Sequence, residues 1–148
     1  QLISEHVKIQ PTSAREATEA FVQGSGDVLL SYENEAIFAE KKGEAVEHLV
    51  PAATFKIENP IAVLSKSPNA ATAKAFIDFL YTAPAQTLLA QTGFRVVDAT
   101  VAARFTSTLP TPTKLWSIDD LGGWKTVDST LFKKGTGSVA VIYDKATK

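Results

Sequence analysis

The sequence predicts an α/β protein, on three observations. Short apolar runs of strand character alternate with segments of helical period through the first part of the chain. Helix-start and helix-stop residues punctuate that alternation where helices would begin and end. The second half is dominated by helical spacing. The early order β-α-β-α-β is the pattern of layered α/β folds, and the later helices read as material returning from one lobe to another.

Val7–Gln10 reads as a short strand ended by Pro11, preceded by what looks like the tail of a helix, so the chain is expected to begin inside a fold. Ser13-Ala14-Arg15-Glu16 matches a capping box, with Ser13 as N-cap and Glu16 reaching back from the third helical position. A helix then runs from Ala14 to Gln23, with Ala17, Ala20 and Phe21 on one face. Gly24-Ser25-Gly26 breaks it. A helix C-cap explains those glycines better than a phosphate loop, which would need a following Lys-Ser/Thr pair and a preceding strand. Asp27–Ser31 reads as a strand with a buried-type centre of Val28, Leu29 and Leu30. Glu33–Lys42 follows as a helix. Its acids fall in the first turn, its lysines in the last, and Gly43 lies just beyond, as the helix dipole and C-cap favour.

Glu47–Val50 is a predicted strand, and Pro60 heads another over Ile61–Leu64. Ser67-Pro68-Asn69 opens the clearest helix, in which Ala73, Phe76, Ile77, Leu80 and Tyr81 keep i, i+3, i+4 spacing. Pro84 suits the first turn of the next helix, with Leu88 and Leu89 expected buried and Gly93 ending it. Phe94–Val97 reads as extended, Thr100–Phe105 as a short helix and Leu109–Pro112 as a connector. A last helix is expected from about Trp124 to Lys133. After Gly135-Thr136-Gly137, Ser138–Tyr143 fits either a helix or a strand.

Composition narrows the function classes. The 148 residues fit one domain or part of a larger one. A net charge of −1 offers no global field for nucleic acid or an anionic membrane. Zero cysteine removes thiol catalysis and disulfides. No apolar run approaches the ~20 residues of a membrane span, and no signal-peptide pattern is visible. His6 and His48 stand near no serine or carboxylate pattern and read as surface or structural. Glu33 and Glu35, two apart on a helix, do not share a face and read as dipole complement. A small α/β enzyme would need a base or nucleophile that these residues do not present.

Anion binding has better support. Ligands of open α/β sheets bind beyond the carboxyl ends of strands, where Ser31 and Tyr32 stand. Thr12-Ser13-Ala14-Arg15 is a helix N-terminus directly after a predicted strand, with unpaired N–H groups and the positive end of a dipole. A plain capping box remains the alternative reading there, and a packing aromatic the alternative for Tyr32. Trp116 and Trp124 read as packing residues.

Gly26 to Ala36, GDVLLSYENEA, resembles the GDVLIAWENEA segment of the sulfate-binding proteins of ABC transporters. Collinear blocks extend the likeness over nearly the whole chain: Val7-Lys8-Ile9, Ala14-Arg15, Pro60 to Val63, Gly93 to Val96, Val101 to Phe105, and Leu115 to Trp124. The resemblance implies a partial periplasmic-binding-protein-like (type II) α/β fold, part of one lobe plus C-terminal helices returning to the other. Residues 1–148 would be a C-terminal half, with about 1–60 ending the second lobe and about 61–148 supplying the hinge strand and C-terminal helices.

The resemblance further implies a ligand-binding set of Ser13, Ala14, Arg15 and Tyr32, without metal, cofactor or catalysis. Ala14 would be a backbone donor and Arg15 would support the turn from outside. Tyr32 stands where the family has a tryptophan, its hydroxyl in place of the indole donor. Glu16 replaces the family's usual glycine and brings a negative charge near the anion. The implied partners are sulfate or a similar oxyanion such as thiosulfate or molybdate, an ABC permease in the membrane, and the N-terminal half of the same protein. Nucleic acid is not among them. The implied location is extracytoplasmic, in the periplasm or at the cell surface, lipid-anchored in one form of the full-length protein. This half alone is expected to bind weakly or not at all. A second function class is an assembly module that forms a homodimer through an exposed half-core.

Overall fold

Capping side chains begin two of the helices and glycine turns end several of them. The computed structural model describes residues 5–146, so the first residues of the predicted helix tail lie outside the described residues. Helix α1 spans Ala14–Val22 and α2 spans Glu33–Lys41. Helices α3 (Ala70–Leu80), α4 (Ala83–Gln91) and α5 (Ala99–Ala102) follow, the last continued by a 3₁₀ turn over Ala103–Phe105. Helix α6 (Gly123–Val127) passes into a π-helical turn over Asp128–Phe132, and α7 spans Ser138–Ala146. Strands β1 (Ala53–Phe55) and β2 (Lys114–Trp116) form a two-stranded parallel sheet with Thr54 opposite Leu115.

The chain divides into two units. One takes Gln1–Leu30, Pro51–Ile57 and Thr113–Lys148; the other takes Ser31–Val50 and Glu58–Pro112. The first holds α1, the sheet, α6 and α7, with Thr18 and Val127 buried. The second holds α2 to α5 around Ile37, Ala39, Ala85, Ala90, Val101 and Leu109.

The predicted helices form, and three of them end as Schellman motifs. In α4, Phe94 N–H donates to Leu89 and Gly93 N–H to Ala90, which satisfies two orphan carbonyls. Gly93 needs its φ of +94° for this turn, and a Cβ there would lie 3.1 Å from the Asn34 backbone. Gly24 and Gly43 close α1 and α2 the same way. The ambiguous Ser138–Tyr143 segment is helical. The single helix expected over Trp124–Lys133 is instead an α-turn that widens into a π-turn, where Lys133 N–H donates five residues back to Asp128 at 2.7 Å.

The strand expectations need correction. Residues 7–10, 27–31, 47–50 and 61–64 are not in any ladder, and the paired strands lie instead at Ala53–Phe55 and Lys114–Trp116. An apolar run becomes a strand only when a neighbour supplies its hydrogen bonds, and none does among the described residues. The apolar side chains stay exposed as a result, Val28 at 81%, Leu30 at 90% and Leu49 at 85%. Leu88 is also exposed, at 61%, and Leu89 is half-buried; Ala85, Gln86 and Ala90 form the buried face of α4.

Candidate functional site

Ser13, Ala14 and Arg15 come together at the start of α1, in the first unit. Ser13 has extended dihedrals and its Oγ accepts from Glu16 N–H at 3.2 Å. The Ser13 hydroxyl is also among the groups that hold the Glu16 carboxylate, so the two residues cap each other. Ala14 is the first helical residue, and no carbonyl of its own helix reaches its N–H. Its carbonyl accepts from Thr18 Oγ1 at 3.0 Å, which ties the first turn to the buried side of α1.

Glu16 closes the capping box. Its carboxylate accepts from Thr12 Oγ1 at 2.7 Å. The Thr12 hydroxyl, followed by the backbone N–H groups of Thr12 and Ser13 and the Ser13 hydroxyl, holds the Glu16 carboxyl below the usual glutamate value. A depressed folded-state pKa contributes stability above the unfolded value and loses it as pH falls through the folded value. The Asp120 carboxyl is lowered likewise by Ser117, whose N–H and hydroxyl both donate to it at 2.7 Å. Carboxyl NMR titration should therefore place Glu16 below the ordinary glutamate value, and Thr12→Val should move it upward. An unchanged Glu16 titration in Thr12→Val would refute the Thr12 hydroxyl as the main cause of the shift.

Tyr32 lies in the second unit, as the N-cap of α2. Its carbonyl accepts from Glu35 N–H at 3.1 Å, its side chain makes no cap bond, and it is 51% exposed. Tyr32 is therefore held by its backbone at a helix N-terminus, with its side chain half exposed.

The sequence reading missed the polar bonds that stiffen this unit. Arg95 grips Glu33 in a bidentate pair, Nε to Oε2 at 2.7 Å and Nη2 to Oε1 at 2.8 Å. The same guanidinium donates to the Leu109 and Pro110 carbonyls. The first residue of α2, next to Tyr32, is thereby fixed to two distant segments. Buried Gln86 donates to Leu80 O at 2.7 Å and accepts from Val97 N–H at 3.0 Å and Asp98 N–H at 3.3 Å. His48 Nδ1 lies 2.7 Å from Glu40, a pairing that anchors the segment after α2. No group of three or more potential metal ligands occurs among the described residues.

A family profile described as bacterial extracellular solute-binding protein matches residues 2–95. The chain belongs to this family. Among solved structures, this solute-binding chain is similar to the sulfate-binding protein SubI from Mycobacterium tuberculosis H37Rv, at 56% identity and a TM-score of 0.80. That likeness covers 89% of this chain and 46% of the other. A Synechocystis sulfate-binding protein is 38% identical over 143 residues, 93% of this chain and 39% of that protein. An Escherichia coli thiosulfate-binding protein is 33% identical over 138 residues, 88% of this chain and 40% of that protein. The chain thus spans less than half the length of the relatives it matches. The expected type II solute-binding fold is the one it shares in part, in a helix-rich α/β form. No helix among the described residues is long and apolar enough to cross a membrane.

Proposed function

We propose that this chain is part of an oxyanion-binding component of an ABC-type importer, with sulfate the leading ligand and thiosulfate the next. It would bind and hand over its ligand outside the cytoplasm without chemical change. The observation that carries this reading is the 56% identity to a protein named as sulfate-binding, over 89% of the chain. The chemistry of the two helix starts agrees with it. A fully deprotonated dianion accepts hydrogen bonds and donates none. The Ala14 N–H, the Ser13 hydroxyl and the Tyr32 hydroxyl are all donors, and helix N-termini favour negative charge. Thiosulfate enters because the Escherichia coli relative named as thiosulfate-binding is 33% identical over 88% of the chain.

Isothermal titration is the direct test. The chain alone should bind sulfate weakly or not at all, and micromolar binding by it would overturn that expectation. Joined to the remainder of the Mycobacterium tuberculosis protein, it should bind sulfate. In that joined protein Ala14→Pro is the sharpest probe. Proline is tolerated at the first helical position, and Ser13 already has the extended backbone that a following proline requires. Helix stability should change by less than about 0.5 kcal/mol, while the backbone donor disappears. Sulfate affinity should fall about tenfold or more, since one charge-assisted bond exceeds about 1.4 kcal/mol. Unchanged affinity would remove Ala14 from the site.

A further inference from the structure

Glu33 is the first residue of α2 and stands next to Tyr32. A carboxylate in a first helical turn answers the positive end of the helix dipole, and there it competes with any other anion. Here both of its oxygens turn to Arg95, with Oε2 accepting from Nε at 2.7 Å and Oε1 from Nη2 at 2.8 Å. The guanidinium fork fits a carboxylate in this geometry and cancels its charge locally. Tyr32 makes no side-chain cap bond. The Glu35 and Ala36 N–H groups reach the Tyr32 carbonyl, while those of Glu33 and Asn34 stand ahead of every intrahelical acceptor. Glu35, the other acid of the turn, is buried and accepts from Asn34 Nδ2 at 3.4 Å.

Arg95 is itself held in place. Its Nη1 donates to Leu109 O at 3.2 Å, and its Nη2 donates a second time, to Pro110 O at 2.7 Å. Four of the five N–H donors of the guanidinium are thereby engaged within the protein. The Arg95 and Glu33 side chains are 33% and 18% exposed, so the pair is partly withdrawn from solvent screening.

We infer that Arg95 is a positioning residue for anion binding: it masks the Glu33 charge, so that the start of α2 and Tyr32 can face a dianion. The inference rests on the reading above that Tyr32 belongs to a sulfate site. A dianion feels an unmasked carboxylate twice as strongly as a monoanion does. Glu33 lies within the first turn, where charge acts on a helix end. Arg95 acts through Glu33, since its own donors are spent on the carboxylate and on two carbonyls. A lysine in its place would bring the charge without the fork.

The test uses the chain joined to the remainder of the Mycobacterium tuberculosis protein, with sulfate titrated calorimetrically at low and high sodium chloride. Arg95→Gln should weaken sulfate binding about tenfold, which lies within the reach of a charge at a helix end. That deficit should shrink as salt screens the bared carboxylate. Glu33→Gln removes the charge to be masked and should stay within about twofold of the parent. The double variant, Glu33→Gln with Arg95→Gln, should regain most of the lost affinity. A merely structural tie predicts the opposite order, with Glu33→Gln already weak and the double variant no better than Arg95→Gln. That order would overturn the mask. Where Arg95→Gln does not fold, Arg95→Lys keeps the charge, and a loss there above about tenfold overturns the mask as well. A parent that binds sulfate beside an Arg95→Gln variant that binds it equally overturns the mask and leaves the sulfate reading standing. A joined parent that ignores sulfate defeats the sulfate reading, and the mask with it.

Discussion

Gln86→Leu should destabilise the α2–α5 unit by about 2–4 kcal/mol. The side chain is 5% exposed and makes three bonds to backbone groups of two other segments. Leucine has nearly the same volume, so little cavity or strain accompanies the change. What remains is the Leu80 carbonyl at the end of α3 and the N–H groups of Val97 and Asp98 at the start of α5, all without their partner. Each unsatisfied buried group costs about 1–3 kcal/mol. Val97 is exposed, so water can reach part of that end and the total stays below three full penalties. Chemical denaturation should show the loss, and hydrogen exchange should show the Val97 and Asp98 amides deprotected first. A loss under about 1 kcal/mol with unchanged exchange at those amides would show that Gln86 is dispensable.

Gln86 also marks where sequence reading stops. On a helix carrying Leu88 and Leu89, an apolar-face rule assigns the leucines to the core. The structure buries the glutamine because loop backbone 11 and 12 residues onward needs an acceptor. No local pattern encodes that need. The Arg95–Glu33 pair is hidden for the same reason, since its partners lie 62 residues apart. Capping signals were legible because they act within four residues: Ser13 and Glu16 read directly as a box, and Gly24, Gly43 and Gly93 as helix ends. Strands were legible only as composition. Val28-Leu29-Leu30 has the right residues, but a ladder requires a second strand that the sequence cannot name. Ala53–Phe55 and Lys114–Trp116 pair across 60 intervening positions with too few residues to show a period. For the candidate site, the start of α1 and the place of Tyr32 at a helix entrance were readable. The bonds that hold α2 at that entrance were not.

Gly137→Ala should be the most disruptive single-methyl substitution in the first unit. A Cβ on Gly137 would lie 2.5 Å from Leu131 O and 2.6 Å from Lys133 N, both backbone atoms that cannot swing aside. Gly137 N–H donates to Lys133 O at 2.7 Å, and its own carbonyl accepts from Val141 N–H at 2.9 Å, so it is the point where α7 is pinned to the π-turn. Relief requires moving α7 or unwinding the turn, at about 2–3 kcal/mol or more by the usual cost of overpacking. Gly135→Ala provides the contrast. Gly135 has a φ of +78° and open space around its Cβ position. It should cost only the left-handed strain of about 1–2 kcal/mol. Melting temperatures should therefore fall further for Gly137→Ala than for Gly135→Ala, with exchange in Gly137→Ala rising along α7 and not along α1. The reverse order would mean that backbone conformation, and not the close approach to Leu131, determines how the chain turns into its last helix.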